Sequence, residues 1–404
     1  MLVQQSFSRP SIDVNGLTAV QLIGVGGQAG VWLAKDLVSG KTCAVKQYQK
    51  AFLARQDTRR AERVLAEKEF MDSCDKHPFL TTLYLTFQTS ESLFLAIDLS
   101  VGGDLLTVCS MHYQTGMPEA TARHYCACLS LALRWMHARG WIYRDLKLEN
   151  ILIDAHGAAK LCDFGFVKRL DPSRRAYTVC GTAEYTPPEL LRGRGQGVAG
   201  DWWALGVLLH EMFTGYNCFG EEDASEKAVM EAIMAYAKGG ADAAEQLELS
   251  VLKAASYEGG GRAKDEEPLS KEGAAFMRGL LNANEEQRLG PDERLLELMR
   301  HPWMAGTEWN QLLCHGAEPP WLPPTDAITR LPRYSLKSED AAILKTDGFT
   351  YDAEKWEPQF SDFGPMRSKP WPMTDSACIA GETQPNASHL IIDGSTSRPD
   401  RGGN

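Results

Sequence analysis

The sequence predicts an α+β fold of two lobes, a small one rich in strands followed by a larger helical one. Between Leu17 and Asp98, five runs of β-branched and aromatic residues are separated by turns, and one helical pattern interrupts them at residues 57–73. From Asp104 onward, helical periodicity dominates. A chain of 404 residues, 44% of them apolar, is long enough to bury the cores of two such lobes.

The five runs expected to form strands are LTAVQLIGVGG, GVWLAKD, TCAVKQY, TTLYLTF and SLFLAID. We predict an N-terminal tail at 1–16, the small lobe at 17–99, the large lobe at 100–305, a third segment at 306–365 and a disordered tail at 366–404. The third segment is rich in Pro and Trp, so we expect it to wrap over another surface. Residues 238–268 are rich in Gly, Ala, Glu and Lys, and we interpret part of them as a surface insertion.

The charge of the chain restricts its partners. The formal net charge is −11, which argues against binding to nucleic acid or to anionic membranes and is compatible with a basic peptide. The densest apolar run, at 202–213, is too short to span a membrane and contains His210 and Glu211. The first residues have no apolar stretch typical of a signal peptide. We therefore expect a cytoplasmic protein, and entry into the nucleus stays open.

The first candidate binding element is a glycine-rich turn between two predicted strands. Glycine lets a backbone approach phosphate groups closely, with its N–H groups as donors. The alternatives are an ordinary hairpin and a dinucleotide-binding turn, but the latter needs a helix directly after the glycines. A strand pattern follows instead, which favours a hairpin that covers phosphates. Its residues are Ile23, Gly24, Val25, Gly26, Gly27, Gln28, Ala29, Gly30 and Val31.

A lysine on a short apolar strand follows in the sequence Cys-Ala-Val-Lys46. Such a lysine can hold the α and β phosphates of a nucleotide if a carboxylate fixes its ammonium group. The predicted helix after it offers Glu62, Glu67 and Glu69 as that acid. By itself, a lysine on a strand is usually a solvated surface charge.

The most specific pattern is WIYRDLKLENILID, followed by DFG at 163–165. It matches the catalytic loop H-R-D-x-x-x-x-N of phosphoryl-transfer enzymes, with Tyr in place of His. Asp145 can orient a hydroxyl group and accept its proton, and Lys147 can neutralise the phosphoryl group that moves. Asn150 and Asp163 can hold a metal ion. These residue types supply the positioning and the charge compensation that phosphoryl transfer needs.

The motifs YRDLKLEN, LCDFGFVKRL, CGTAEYTPPEL and DWWALGVLLHEMFTGY resemble the catalytic core of the AGC group of eukaryotic protein kinases. The resemblance covers residues 17–365 and is greatest to the cyclic-nucleotide-dependent kinases. It implies the bilobal protein kinase fold with a C-terminal tail that wraps the lobes. It also implies serine/threonine kinase activity with ATP and Mg²⁺, with Mn²⁺ as the alternative ion.

The resemblance assigns roles around the nucleotide. Lys46 is implied to be the phosphate-binding lysine and Glu67 its ion-pair partner. The residues implied to sandwich the adenine and to form the gatekeeper and hinge are Val31, Ala44, Leu152, Ile97, Asp98 and Leu99. The side chains implied to stack in the assembled active state are Met71, Leu83, Tyr143 and Phe164.

Further implied roles concern support and activation. Glu189 is expected to pair with Arg288, and Asp201 to brace the catalytic loop. Thr178 matches the activation-loop phosphosite, where a phosphate would order the loop through Arg144 and Lys168.

The resemblance also implies a preference for basic protein substrates that contain Ser or Thr. Three carboxylates match positions that bind arginines two and three residues before the phosphoacceptor: Asp104, Glu149 and Glu211. The pocket after the acceptor would be lined by Val179, Ala183 and Thr186, and the hydroxyl of Thr186 weakens any apolar preference there.

Near the C-terminus, Phe360 and Phe363 match the F-x-x-F hydrophobic motif, whose rings dock on the small lobe in this group. Gly364 follows, so no phosphorylatable residue stands at that position. Three positions depart from the family pattern. Ala29 replaces the third glycine of the glycine-rich turn, Leu148 replaces the usual Pro of the catalytic loop, and Pro187 replaces the Ala of the A-P-E motif.

Two alternative functions share parts of this pattern. A pseudokinase that only binds nucleotide or acts as a scaffold is the main alternative, but such proteins usually lack one of the residues that match Lys46, Asp145, Asn150 and Asp163. A small-molecule kinase is disfavoured by CGTAEY and by F-x-x-F. Two modes of control of the kinase stay open. Activity is controlled either by a separate cyclic-nucleotide-binding regulatory subunit or by an upstream kinase that phosphorylates Thr178 and docks through Phe360 and Phe363.

Overall fold

The computed structural model describes residues 16–54, 58–74, 76–113, 116–171, 175–220, 223–254, 269–291, 294–332, 343 and 351–365. Residues 1–15 of the predicted N-terminal tail (1–16) and the predicted tail at 366–404 lie outside these residues. The chain forms two compact units. The described residues of the sheet unit lie within 16–54, 84–99 and 325–365, and those of the helical unit lie within 58–83 and 100–324.

The sheet unit is built on β1 (Leu17–Val25), β2 (Gly30–Asp36), β3 (Thr42–Gln49), β4 (Leu83–Gln88) and β5 (Ser92–Ile97). They form a five-stranded sheet in the order β1–β2–β3–β5–β4. All five strands fall within one residue or two of the predicted runs. The short helix α1 (Lys50–Leu53) follows β3 directly.

The register of the sheet decides which residues share a face. Val31 pairs with Lys46, and Ala44 pairs with Ile97. Because side chains alternate along a strand, these four residues lie on the same face of the sheet. The other face carries the buried core, whose central row is Trp32, Val45 and Ala96.

The helical unit contains nine helices among its described residues: α2 (Thr58–Ser73), α3 (Leu105–His112), α4 (Glu119–His137), α5 (Pro188–Leu191), α6 (Ala199–Thr214), α7 (Glu226–Ala254), α8 (Lys271–Leu280), α9 (Leu295–Met299) and α10 (Trp309–Leu313). The helical unit also contains two small antiparallel β-ladders. They pair β6 (Trp141–Ile142) with β9 (Lys168–Arg169), and β7 (Ile151–Ile153) with β8 (Ala159–Leu161). The predicted α+β class is therefore confirmed.

Helix α7 runs through part of the predicted insertion. It spans Glu226–Ala254 and breaks its helical geometry at Gly240, which has φ 57° and ψ −128°. Glycine tolerates this backbone conformation, which a residue with a Cβ atom rarely adopts. Residues 238–254, expected in part to form a surface insertion, thus continue a helix, and residues 255–268 lie outside the described residues.

The C-terminal helix α11 (Ala353–Phe360) belongs to the sheet unit. Phe360 and Phe363 are fully buried there. The side-chain amide of Gln88 donates to the carbonyl oxygens of Phe360 (3.1 Å) and Gly364 (3.0 Å). The ammonium of Lys50 donates to both carboxylate oxygens of Glu357, at 2.8 and 2.9 Å. The segment is therefore held by apolar burial and by a charge pair together.

A buried ion pair ties the segment after the DFG motif to the loop after α8. The Arg288 Nη1 and Nη2 atoms donate to the two carboxylate oxygens of Glu189, at 2.8 and 2.9 Å. Arg288 also donates to the carbonyl oxygens of Ala199 and Asn282. Both charged side chains are almost fully buried. The pair implied by the resemblance is therefore present, and Arg288 makes four hydrogen bonds with its three guanidinium nitrogens.

None of the helices in the described ranges has the length and apolar character needed to cross a membrane.

We predict that Arg288→Gln lowers the free energy of unfolding of the helical unit by about 3–5 kcal/mol, because it leaves the Glu189 carboxylate buried without its partner. A urea titration followed by tryptophan fluorescence measures this loss. Arg294→Gln is the matched control, since Arg294 pairs with Glu297 at 2.7 Å in an exposed position. Its cost should stay below about 1 kcal/mol. Equal losses in the two variants would contradict the prediction.

Candidate active site

The catalytic loop is held by one buried carboxylate on α6. Asp201 Oδ1 accepts the backbone N–H of Arg144, and Oδ2 accepts that of Tyr143, both at 2.9 Å. The His137 Nε2 atom lies 2.7 Å from Oδ2. Arg144 has a positive φ of 68°, which is uncommon for a residue other than glycine. These contacts hold that conformation, so Asp201 fixes the direction of the chain at Asp145.

Asp145 sits at the centre of a small polar network. Its Oδ2 atom accepts a hydrogen bond of 2.6 Å from the side-chain amide of Asn150 and lies 3.5 Å from Lys147 Nζ. Lys147 Nζ donates in turn to Thr182 Oγ1 at 3.2 Å. Asp145 Oδ1 is buried and has no hydrogen-bond partner among the described residues. One oxygen is therefore oriented by the protein while the other remains available to accept a bond.

Burial raises the pKa of Asp145, and the nearby charge of Asp163 acts in the same direction. Lys147 and the hydrogen bond from Asn150 oppose this increase. A carboxylate with a raised pKa is a better proton acceptor than a free aspartate, as a general base requires.

Tyr143 occupies the position where the loop pattern usually has His. Its hydroxyl group donates to the carbonyl oxygen of Cys162, which directly precedes Asp163. Its ring packs against Phe164 at a centroid distance of 5.8 Å. Tyr143 therefore ties the catalytic loop to the DFG segment through both ends of its side chain.

The four side chains predicted to stack are all buried: Met71, Leu83, Tyr143 and Phe164. The ring of Phe70 also contacts Phe164, at a centroid distance of 4.6 Å. Phe70 contacts Trp141 as well, at 5.4 Å. Phe70 was not predicted to take part, although it stands next to Met71 on α2.

Asp163 and Asn150 offer the oxygen atoms expected for a metal. Asp163 is exposed and has a positive φ of 55°. The Asn150 amide nitrogen donates to the backbone and side-chain oxygens of Asp145. The side-chain oxygen of Asn150 is therefore the atom that could bind a cation, because only an oxygen with lone pairs can act as a ligand. Among the described residues, no group of three or more His, Cys, Asp or Glu side chains could hold a metal ion. Two protein oxygens fit Mg²⁺, which usually completes its shell with phosphate oxygens and water.

An acidic cluster lies beside the catalytic loop. Tyr185 donates its hydroxyl hydrogen to Glu211 Oε2, and Glu149 and Glu184 are near enough to affect the pKa values of both residues. Burial, with added repulsion from Glu149 and Glu184, raises the pKa of Glu211 to about 7, against the hydrogen bond from Tyr185. Two predicted substrate residues, Glu149 and Glu211, are thus brought together, with Glu184 as an additional member.

Asp104, the third predicted substrate carboxylate, caps helix α3. Its Oδ1 atom accepts the backbone N–H of Thr107 at 2.7 Å, and its Oδ2 atom accepts the Thr107 hydroxyl at 2.9 Å. Its backbone forms a bridge with Leu152, the predicted adenine contact. Both oxygens therefore already have a structural partner, which stabilises the helix start.

Two basic side chains, Arg144 and Arg63, lie near Cys180, two residues after the predicted phosphosite. Thr178 is exposed. Arg144 Nε donates to the Phe166 carbonyl oxygen at 2.8 Å, while its buried Nη1 atom has no partner in the described part of the chain. The Arg63 guanidinium lies 4.3 Å from the centre of the Phe166 ring. Burial raises the pKa of Cys180, two residues after Thr178, and the charges of Arg144 and Arg63 oppose that increase.

The remaining predicted nucleotide residues are divided between the two units. The glycine-rich turn is a hairpin between β1 and β2, closed by a bond of 2.9 Å from Gly26 N–H to the Ala29 carbonyl oxygen. A strand follows it, which excludes the dinucleotide-binding turn. Lys46 and the hinge residues Asp98 and Leu99 belong to the sheet unit, and Glu67 to the helical unit. The predicted Lys46–Glu67 pair and the adenine pocket stay predictions.

Sequence reasoning missed three residues of this site: Arg63, Phe70 and Glu184. Arg63 stands four residues before Glu67 on α2, so helical spacing places both on one face and could have indicated it. Glu184 lies within CGTAEY, where its acidic character was visible but was not linked to Glu211. No local pattern distinguished Phe70 from its neighbour Met71.

The chain belongs to the protein kinase domain family, whose model matches residues 17–304. This match covers both the hairpin and the catalytic loop, and it confirms the predicted protein kinase fold.

Two curated relatives indicate which group of protein kinases the chain resembles. The chain is 34% identical to atypical protein kinase C of Drosophila melanogaster over 337 residues, which are 83% of this chain and 52% of that protein. It is 29% identical to the cAMP-dependent protein kinase catalytic subunit of Dictyostelium discoideum over 347 residues, 85% of this chain and 48% of that protein. Both relatives are AGC-group kinases, so the resemblance to that group is confirmed. The chain spans about half the length of the curated relatives it matches.

Proposed function

We propose that the chain is an active serine/threonine protein kinase that transfers the γ-phosphate of ATP to hydroxyl groups in arginine-rich protein segments. The observation that carries the proposal is the environment of Asp145. One of its oxygens is fixed by Asn150, and the other is buried and unpartnered among the described residues. A serine or threonine hydroxyl is the group that would satisfy this oxygen, and its proton would pass to the carboxylate as the oxygen attacks.

In this proposal, Lys147 compensates the charge of the phosphoryl group during transfer. Its ammonium is already held between Asp145 and Thr182, so little reorganisation is needed when substrate arrives. Asp163 and Asn150 would hold Mg²⁺, with Mn²⁺ as the alternative ion. The ion would supply positive charge at the β and γ phosphates of ATP.

The preference for arginine rests on the acidic cluster of Glu149, Glu184 and Glu211. Carboxylates bind guanidinium groups through paired hydrogen bonds, and three of them near one surface attract a basic peptide. Asp104 contributes in this proposal as a neighbouring charge, because both of its oxygens already bind Thr107. A strong apolar preference after the acceptor is not part of the proposal, because Thr186 would bring a hydroxyl to that pocket.

Phosphorylation of Thr178 is proposed to raise activity. The Arg63 guanidinium and the Arg144 Nη1 atom, which has no partner among the described residues, supply positive charge near Cys180. Lys168 is the second cation that the resemblance implies for this phosphate. A phosphate bound there would order the segment that contacts substrate. Control by a cyclic-nucleotide-binding subunit is supported only by the resemblance and by similarity to one relative, a cAMP-dependent kinase subunit. Docking of an upstream kinase is a further proposal.

The proposal predicts phosphate transfer from Mg-ATP to a positional peptide array, with the strongest signal for arginine two and three residues before Ser or Thr. Asp145→Asn should lower kcat by about 100-fold or more, because it removes the proton acceptor. Asp163→Ala should abolish transfer. Radioactive phosphate incorporation into each peptide measures both effects.

Asp223→Asn is the matched control, since it changes an exposed aspartate outside the site in the same way. Nucleotide binding without transfer by the Thr178-phosphorylated wild type would overturn the proposal and favour a nucleotide-binding scaffold. Transfer that ignores arginine would refute the substrate preference alone.

The acidic cluster also predicts a pH dependence. Glu211, with its pKa raised to about 7, is ionised above that pH and neutral below it. The KM for an arginine peptide should therefore fall by roughly tenfold between about pH 6 and pH 8, the size expected when a charge-assisted hydrogen bond is gained. Initial rates at saturating ATP across this pH range give the value.

Glu211→Gln should keep the high KM over the whole range. A peptide with alanine in place of the arginines serves as the second control, because its KM should not follow the ionisation of Glu211. An unchanged pH profile in Glu211→Gln would exclude Glu211 as the source.

A further inference from the structure

The segment that leads to Thr178 begins at an ion pair that the motifs do not predict. Arg175 Nη1 donates to Glu285 Oε2 at 2.6 Å, and Nη2 donates to Oε1 at 2.9 Å. The two side chains are 32% and 18% exposed, so solvent screens the pair only in part. Glu285 lies in the loop after α8, three residues before the buried Arg288. The pair therefore connects the start of this segment to a rigid part of the helical unit.

Backbone contacts strengthen the same attachment. Ala176 and Gln196 exchange two backbone hydrogen bonds of 2.8 Å, and Ala176 is fully buried. Arg175 Nη1 also lies 3.3 Å from the Gly195 carbonyl oxygen. A Cβ atom at Gly195 would approach the Tyr177 ring to 3.0 Å. The chain is thus fixed just before Thr178 by a side-chain pair, a two-residue bridge and a close packing contact.

The other end of the segment rests on the catalytic loop. A Cβ atom at Gly181 would lie 2.6 Å from the Arg144 carbonyl oxygen and 3.3 Å from Asp145 Oδ1, which shows how closely the backbones approach. Thr178 and Val179 are exposed between these two fixed ends. Between the packed Tyr177 and Gly181, only Thr178, Val179 and Cys180 are therefore not anchored in this way.

We propose that the Arg175–Glu285 pair positions the substrate-binding segment, and that it does so without a phosphate on Thr178. The inference rests on the proposed kinase function. A phosphate would act at the middle of the stretch, through Arg63 and Arg144, whereas the Arg175–Glu285 pair acts at its start. Glu285 is therefore a positioning residue, and its contribution is largest when the phosphate is absent. This predicts considerable activity in Thr178→Ala and a large loss when Glu285 is changed as well.

The test uses Glu285→Gln, which keeps the shape of the side chain and removes its charge. In the Thr178-phosphorylated protein, this change should raise the KM for an arginine peptide roughly 3- to 10-fold, as expected for a partly exposed bidentate pair. The KM for ATP should not change, because the pair joins the proposed peptide-binding segment to the loop after α8, and neither contains a predicted nucleotide-binding residue. In the Thr178→Ala background, Glu285→Gln should lower kcat/KM by about tenfold more than it does in the phosphorylated protein. The reason is that two contacts that hold the same segment are not independent.

Glu286→Gln is the matched control, since Glu286 is adjacent and exposed. It should change none of these values in either background. Arg175→Lys keeps the charge but cannot bind a carboxylate through two parallel hydrogen bonds. The KM of this variant for the arginine peptide should therefore lie between those of the wild type and Glu285→Gln. Mass spectrometry must show equal phosphorylation of Thr178 in the variants compared.

Hydrogen exchange of residues 176–181 gives an independent readout. Glu285→Gln should speed exchange there, and most strongly with Thr178→Ala, while α4 and α6 keep their protection. Unchanged exchange and an unchanged peptide KM would overturn the inference and leave the kinase proposal standing. If the wild type transferred no phosphate, the proposed function would fail, and the exchange of residues 176–181 would still decide whether the pair positions the segment.

Discussion

The carboxylate of Asp201 is the contact on which the geometry of the candidate active site depends. It accepts the N–H groups of Tyr143 and Arg144 and meets the His137 ring, all from a nearly buried position at the start of α6. Without it, two backbone donors would lose their partners, and Arg144 would have no reason to keep a positive φ. The turn leads directly into Asp145, so a buried helix residue determines where the proposed proton acceptor lies.

From this fixed point, two sets of contacts extend through the helical unit. One runs from Asp145 through Lys147 to Thr182, and thus joins the proposed proton acceptor to the segment proposed to hold substrate. The other runs from Tyr143 to Phe164 and Phe70, and thus joins the loop to α2. The acidic cluster around Glu211 and the basic pair Arg63 and Arg144 lie beside the same segment with opposite charge. The negative cluster underlies the proposed preference for basic peptides, and the positive pair underlies the proposed binding of a phosphate on Thr178.

Local patterns predicted the parts of this molecule that depend on sequence neighbours. The five strands, the hairpin before Val31 and the spacing from Asp145 to Asn150 follow from alternation, turns and a fixed motif. The resemblance added the Glu189–Arg288 pair across about a hundred residues, which no local rule supplies. The capping of α3 by Asp104, the contact of Phe70 with Phe164 and the Arg175–Glu285 pair were missed. Each depends on tertiary packing, which sequence spacing alone does not encode.

The most direct measurement is the single-turnover rate of phosphoryl transfer by Asp201→Asn, with protein in excess over ATP and a saturating arginine peptide. The amide keeps the size of the carboxylate but can accept only one of the two N–H bonds well. A displaced Asp145 should slow transfer by about 100-fold, while the affinity for Mg-ATP stays the same. A transfer rate equal to that of the wild type, in a variant that folds normally, would contradict the account.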